Sequence, residues 1–141
     1  MPATFNKFNA FTADLADKVH NLNADVLKWV LTNTAPVATN AVYADISGTE
    51  LANGNGYTTG GLTPTNSGVS TSSGVAKLVI QPITLTATGA VGPFRYAVLV
   101  NTTAASKNLI GWVDYGSSVT LAATETFAIS PDTGAGALTI T

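Results

Sequence analysis

From Leu62 to Thr141, short runs rich in Val, Ile, Leu, Thr and aromatic residues recur, separated by clusters of Gly, Pro, Ser and Asn. A spacing of about 8–12 residues between strand-like runs, with turn residues between them, marks an antiparallel sandwich or barrel. The runs are Leu62 to Val69, Val75 to Ile80, Ile83 to Thr88, Phe94 to Asn101, Leu109 to Tyr115, Ser118 to Leu121, Thr126 to Ile129 and Ala137 to Thr141. The segments Ser70 to Gly74, Gly89 to Pro93, Thr102 to Asn108 and Ser130 to Gly136 read as turns. A further apolar and β-branched run, Asp25 to Thr32, adds a strand. Eight or nine strands of this kind suit a jelly roll. The runs at 94–101 and 109–115 should form a hairpin, in which Arg95 and Asp114 meet if the register allows. Period-two alternation puts Phe94, Tyr96 and Val98 on one face, with Arg95 and Ala97 opposite.

The N-terminal part follows a different period. At 100° per residue, Phe5, Phe8, Phe11, Leu15, Val19 and Leu22 fall within an arc of about 120°, so residues 5–22 read as one amphipathic helix. Asp14 and Lys18 have the spacing of a stabilising pair along it. Such an apolar stripe must be covered, either by the chain's own sheet or by a neighbouring subunit. Between the strand at 25–32 and the β region, residues 34–61 are rich in Asn, Ala, Thr and Gly, with one short helical turn expected at Val42 to Ile46. A connection this long is uncommon in a compact domain and is usually functional or held by a partner. The expected organisation is a single domain over 1–141, with the helix at 5–22 and a β-sandwich at 25–141. Its class is mainly β: a jelly-roll-like antiparallel β-sandwich with one N-terminal amphipathic α-helix.

Composition narrows the chemistry. The 141 residues include no Cys, so disulfides and thiolate metal sites are excluded. The net charge of −2 supplies no field that would draw in nucleic acid or an anionic membrane. Charged residues make up 10% of the chain, against roughly 25% in an average soluble domain. Thr and Ala together supply 43 of the 141 residues. The polar surface is therefore mostly neutral, and neutral polar groups cost far less to bury against a partner than ions do. The start, Met1-Pro2-Ala3-Thr4-Phe5-Asn6-Lys7, lacks the basic end and apolar run of a signal peptide.

No catalytic constellation stands out. His20 is the one His, and its place near the end of the expected helix reads as a surface residue stabilised by the helix dipole. No Gly-x-Ser-x-Gly elbow accompanies it. Asp45 and Glu50, with Asn53 and Asn55, flank an oxygen-rich loop, but the acidic spacing of a calcium loop is missing. Glu50, Asp114, Glu125 and Asp132 are scattered, whereas glycoside hydrolysis needs two acids in one cleft. The expectation is no catalytic residue, no metal and no cofactor.

A set of stretches in a fixed order carries a resemblance over nearly the whole chain. Phe5-Asn6-Lys7-Phe8 leads to Lys18-Val19-His20-Asn21-Leu22, then to Leu31-Thr32-Asn33-Thr34-Ala35-Pro36. Asn40-Ala41-Val42 follows with Ala44-Asp45-Ile46, then Gly54-Asn55-Gly56-Tyr57-Thr58 with Gly60-Gly61. Gly92-Pro93-Phe94-Arg95-Tyr96-Ala97-Val98 comes next. Leu109-Ile110-Gly111-Trp112 and Asp114-Tyr115-Gly116-Ser117-Ser118-Val119-Thr120-Leu121 complete the set. In these stretches the chain resembles small structural proteins of tailed-phage virions. The resemblance implies a head decoration, or cement, protein with a jelly-roll fold. Such a protein would be made in the host cytoplasm and placed on the outer surface of the head. Its partners would be the major capsid protein and copies of itself, with a dimer favoured over a trimer, and neither nucleic acid nor membrane. A tail or fibre module binding host glycan is the alternative. The candidate subunit interface is Phe5, Phe8, Phe11 and Leu15 on the helix, with Asn53, Asn55 and Tyr57 in the long loop.

Overall fold

The computed structural model describes residues 4–140, except for the side chain of Ser67. Met1-Pro2-Ala3 and Thr141, the end of the expected last strand, lie outside the described residues. Nine strands and one short helix follow in order: β1 (Phe5–Lys7), α1 (Ala10–Ala16), β2 (Leu27–Thr32), β3 (Asn66–Ser72), β4 (Val75–Ile80), β5 (Ile83–Thr86), β6 (Val91–Asn101), β7 (Leu109–Leu121), β8 (Thr126–Ile129) and β9 (Leu138–Ile140). Two single 3-10 turns, Tyr43–Asp45 and Ser47–Thr49, lie in the long connection, the first where a helical turn is expected. The fold is mainly β. Its antiparallel sheets have the orders β1-β7-β6-β2, β3-β4-β9 and β5-β8.

The four-stranded sheet is covered on both faces along β2 and the adjoining halves of β6 and β7. Alternation along β2 sends Leu27, Trp29 and Leu31 to one face, where they share a core with Leu78, Ile80, Leu85, Ile129 and Leu138 of the smaller sheets. Val30 faces the other way and packs with Val98, Val100 and Leu109 under Phe8 and Ile46. Strands buried on both faces read as continuous apolar runs, as Trp29-Val30-Leu31 and Ala97-Val98-Leu99-Val100 do.

The N-terminal helix is much shorter than expected, and its stripe is divided. Phe5–Lys7 forms an edge strand on β7, with Phe5 opposite Val113 and Lys7 opposite Gly111. Gly111 makes this docking possible, because a Cβ there would overlap the Phe5 ring and the Asn6 carbonyl. Phe8 enters the rear core, while Phe11 and Leu22 enter the main one. A helical wheel cannot foresee this: the unpaired edge of β7 offers backbone partners that outweigh helix periodicity. The helix closes at a Schellman motif, with Val19 N–H donating to Asp14 O, Lys18 N–H to Leu15 O, and Lys18 in the left-handed region at φ 63°. That geometry turns Lys18 off the helix. Asp14 instead accepts from Asn108 Nδ2 at 2.9 Å.

β6 and β7 are long because irregularities bend them without ending them. Their register shifts between Val91 and Phe94, between Phe94 and Tyr96, and between Leu99 and Val100. The second shift places four β7 residues, 115–118, opposite Arg95 alone, so the two strands expected at 109–115 and 118–121 are one continuous β7. It also breaks the expected alternation. Phe94 lies in the main core with Ala97 and Leu99, whereas Val98 faces the rear core. β3 starts later than expected and runs on to Ser72, because Ser73 and Gly74 (φ 51° and 78°) make a two-residue turn that lets both strands reach it.

Candidate functional site

The candidate interface residues divide according to burial. Phe8, Phe11 and Tyr57 are 0%, 2% and 2% exposed and belong to the chain's own interior. This corrects their assignment to a subunit interface: the surfaces they would offer are already covered by β strands. Phe5 and Leu15 are partly buried against the main core. Asn53 and Asn55 remain exposed. Their side chains shape the loop. Asn53 Oδ1 accepts from Thr59 N–H at 2.9 Å, and Asn55 Nδ2 donates to Ala90 O at 2.9 Å.

The long connection is tied to the body of the fold by hydrogen bonds within the chain. β2 is paired by β6 on one side only, and the connection satisfies its other side. Trp29 and Leu62 exchange backbone hydrogen bonds at 2.8 Å, and Leu51 N–H donates to Leu31 O at 2.9 Å. Leu31 N–H donates to Tyr57 Oη at 3.1 Å, and that hydroxyl donates to Glu50 Oε1 at 2.7 Å. Gly60 N–H and the Tyr43 hydroxyl also donate to the Glu50 carboxylate. Burial, reinforced by the Glu50 hydrogen bond, pushes the Tyr43 hydroxyl up to about 12, and burial pushes Tyr57 up further. Both stay protonated donors at any physiological pH. Glu50 therefore seals a sheet edge that would otherwise be open to pairing.

Asp45 is engaged in a similar way. It accepts from Ala41 N–H at 2.8 Å and Val42 N–H at 3.1 Å, which draws its carboxyl below the usual value. Among the described residues, no three His, Cys, Asp or Glu side chains gather as a metal site.

His20 is buried, contrary to expectation. It is 6% exposed, four residues beyond the helix, beside the Phe11 ring at 5.3 Å between centroids. Asn101 Nδ2 lies 3.0 Å from His20 Nδ1 and 2.6 Å from Asp25 Oδ2, joining the two chain segments. Desolvation lowers the His20 pKa, and the nearby Asp14 and Asp25 charges oppose this only in part. The ring acts as a neutral internal spacer, and the early end of the helix is what carries it inward.

A cleft of about 550 Å³ lies between the inner face of the four-stranded sheet and the β8–β9 segment. Pockets of roughly 300–1,000 Å³ suit small ligands. Trp29, Leu31, Phe94 and Ala97 form the sheet side, and Phe127 to Asp132 with Ala135 to Ala137 form the other. Phe127 stands edge-on to both Phe94 and Tyr115, with centroids at 4.9 and 5.1 Å. The 115–118 bulge leaves Tyr115 53% exposed.

Arg95 and Asp114, also in the cleft lining, meet across the hairpin as the sequence suggests. Arg95 Nε and Nη2 donate to the two Asp114 oxygens at 2.7 and 2.9 Å. Arg95 and the Gly116 N–H hold the Asp114 carboxyl below the usual range. Asp132, on the opposite wall, is likewise lowered by the Ala135 and Gly134 N–H groups. Two acids thus line one cleft, but neither has the raised pKa that a general acid for glycoside cleavage needs. Sequence reasoning found Arg95 and Asp114 from charge and hairpin spacing. It missed Tyr115 and Phe127, since nothing in a strand pattern tells an aromatic at a bulge from one in a core. Set beside family models, curated proteins and solved structures, the chain matches none of them.

Proposed function

We propose that this chain is a non-enzymatic structural protein of a tailed-phage virion, a decoration (cement) subunit on the outer surface of the head. In this reading it contacts the major capsid protein, acts as a homo-oligomer, and stabilises the junctions between capsomers. The four-stranded sheet and the two smaller sheets then form the facing layers of a jelly roll, a reading supported by the core they share. The ordered set of sequence stretches supports the virion assignment. The observation that carries the cement role is the surface chemistry, with 10% charged residues and polar groups dominated by Thr, Asn and Ser. Such a surface can be covered by a partner without stripping water from many ions.

The mechanism is mass action. A subunit that binds only the assembled shell stabilises it by about 2.7 kcal/mol per site at a hundredfold excess over Kd. Repetition over the shell multiplies a weak contact. The interior placement of Phe8, Phe11 and Tyr57 moves the expected contact to exposed features such as the Asn53–Asn55 tip. Heads assembled without the subunit should burst at lower temperature and under milder osmotic shock. Unchanged resistance in such heads would overturn the proposal. The second reading, a tail or fibre module that binds host glycan, draws its support from the aromatic cleft.

A further inference from the structure

We infer that the cleft between β7 and the β8–β9 segment is a binding site for a neutral saccharide. The inference rests on the second reading above and gives that reading a place and a ligand chemistry.

The walls supply aromatic surface to a ligand in two forms. Tyr115 is half exposed and braced edge-on by Phe127 at 5.1 Å, so its ring is held in place without being covered. Phe94 is buried and supports Phe127 from the other side at 4.9 Å. Aromatic faces attract the C–H faces of sugar rings, and a braced ring loses little freedom when it stacks.

The polar groups fix the ligand's charge. Arg95 and Asp114 neutralise each other in a two-point pair, and the Asp132 carboxylate on the opposite wall leaves the lining slightly acidic, so the site offers donors and acceptors and disfavours an anion. Nε and Nη2 of Arg95 are committed to Asp114 and the guanidinium lies 5.4 Å over the Tyr96 ring, while the N–H groups on Nη1 make no hydrogen bond to the described residues. The carboxylate retains lone pairs beyond the Arg95 and Gly116 bonds. A donor and an acceptor side by side fit neighbouring hydroxyls of one sugar. A phosphate or a carboxylate would face Asp114 and Asp132 unfavourably.

The floor adds an unused donor. Trp29 is 1% exposed, lines the cleft, and its indole N–H has no hydrogen-bond partner among the described residues. A buried N–H left unpaired is costly, and a ligand oxygen would relieve that cost if the side chains over it shift.

The chain holds two Trp residues, which makes the test direct. The full chain is titrated with maltose, lactose and chitobiose in turn while the two indole N–H signals are followed by NMR, assigned with Trp112→Phe. The expected result is a saturable shift of the Trp29 signal with at least one sugar, and a Trp112 signal that stays in place. Tyr115→Ala and Arg95→Met should each weaken that binding at least tenfold with little change in melting temperature. Saturable binding that ignores both substitutions and leaves Trp29 unmoved would overturn the cleft assignment while sparing the second reading. No shift with any of the three sugars would also overturn the cleft assignment. Adsorption of whole particles to cells with and without competing glycan then tells whether the second reading falls with it.

Discussion

The two faces of the four-stranded sheet carry similar apolar side chains but are finished differently. On the rear face Val30, Val98, Val100 and Leu109 are completely covered, by Phe8 from the N-terminal segment and Ile46 from the long connection. On the front face Leu27, Trp29 and Leu99 are equally buried, yet the cover stops short near Phe94 to Ala97 and Val113 to Tyr115, where the cleft opens. The rear cover is made of irregular chain pinned by backbone hydrogen bonds and by Glu50. The front cover combines the short sheets with Phe11, Leu22 and Tyr57 from the helix and the irregular chain, and the short sheets do not follow the bulged end of β7. A coil can be tailored to a twisted sheet residue by residue, whereas a second sheet must match it strand by strand. The open corner is a geometric consequence of that mismatch.

If the rear cover is as integral as its burial implies, removing its main plug should have the largest effect. Phe8→Ala leaves a cavity between Trp112, whose ring lies 4.6 Å away between centroids, and the rear valines. Loss of a fully buried Phe costs about 3–5 kcal/mol. Urea unfolding should show this as a lower midpoint with an unchanged slope. A loss below about 0.5 kcal/mol, the range of surface substitutions, would mean that the cover is dispensable.

The pins of the cover come next. Tyr57→Phe keeps the ring in the core but takes away the hydroxyl that links Leu31 N–H to Glu50. A buried donor left unpaired costs about 1–3 kcal/mol. Amide exchange should quicken at Leu31 and Gly60 before it does so at Val98 or Leu99. Uniform acceleration across all four would show that the connection and the sheet open as one unit.

The third prediction concerns His20, which holds the end of the helix near β6. Its pKa is lower folded than unfolded, so the unfolded chain binds the proton more tightly. Stability is therefore complete above the ordinary value of 6.5 and declines as pH falls through 6.5 toward the lowered folded value. Asp45, Asp114 and Asp132 add their own losses only below their ordinary 3.8, in a separate and more acidic window. Melting temperatures from pH 7.5 to 4.5 should fall for the natural chain and fall less for His20→Gln. Parallel curves would show that His20 does not cause the loss.

Legibility in the sequence followed how locally each feature is determined. β4 and β8 are bounded as their residues suggest, because alternation and turn residues lie within a few positions of each other. The Arg95–Asp114 pair was visible because one hairpin brings it together. The split of Phe5, Phe8 and Phe11 between two cores was not, since it depends on β7, over a hundred residues later, and on the missing side chain of Gly111. The burial of His20 follows from the early end of the helix, where Lys18 in the left-handed region turns the chain inward. The cleft was half legible. Its charged pair is local, but its aromatic wall exists because four β7 residues stand opposite one of β6.

The smallest effect on stability should come from that charged pair, and its smallness sharpens the contrast between the faces. Arg95 and Asp114 are both more than a third exposed, at 38% and 37% of their side-chain surface. Exposed ion pairs contribute little, because water and salt already screen the charges that the pair brings together. Arg95→Met should leave the unfolding midpoint near that of the natural chain, and Asp114→Asn slightly below it, since Asp114 also accepts from Gly116 N–H. The double variant should resemble Asp114→Asn alone. If Arg95→Met instead destabilises as much as Tyr57→Phe, the pair is a structural brace for the bulge, and the front corner is as tightly built as the rear. If it does not, the two-point geometry at 2.7 and 2.9 Å does little for folding, and the front corner is free to hold it for a ligand.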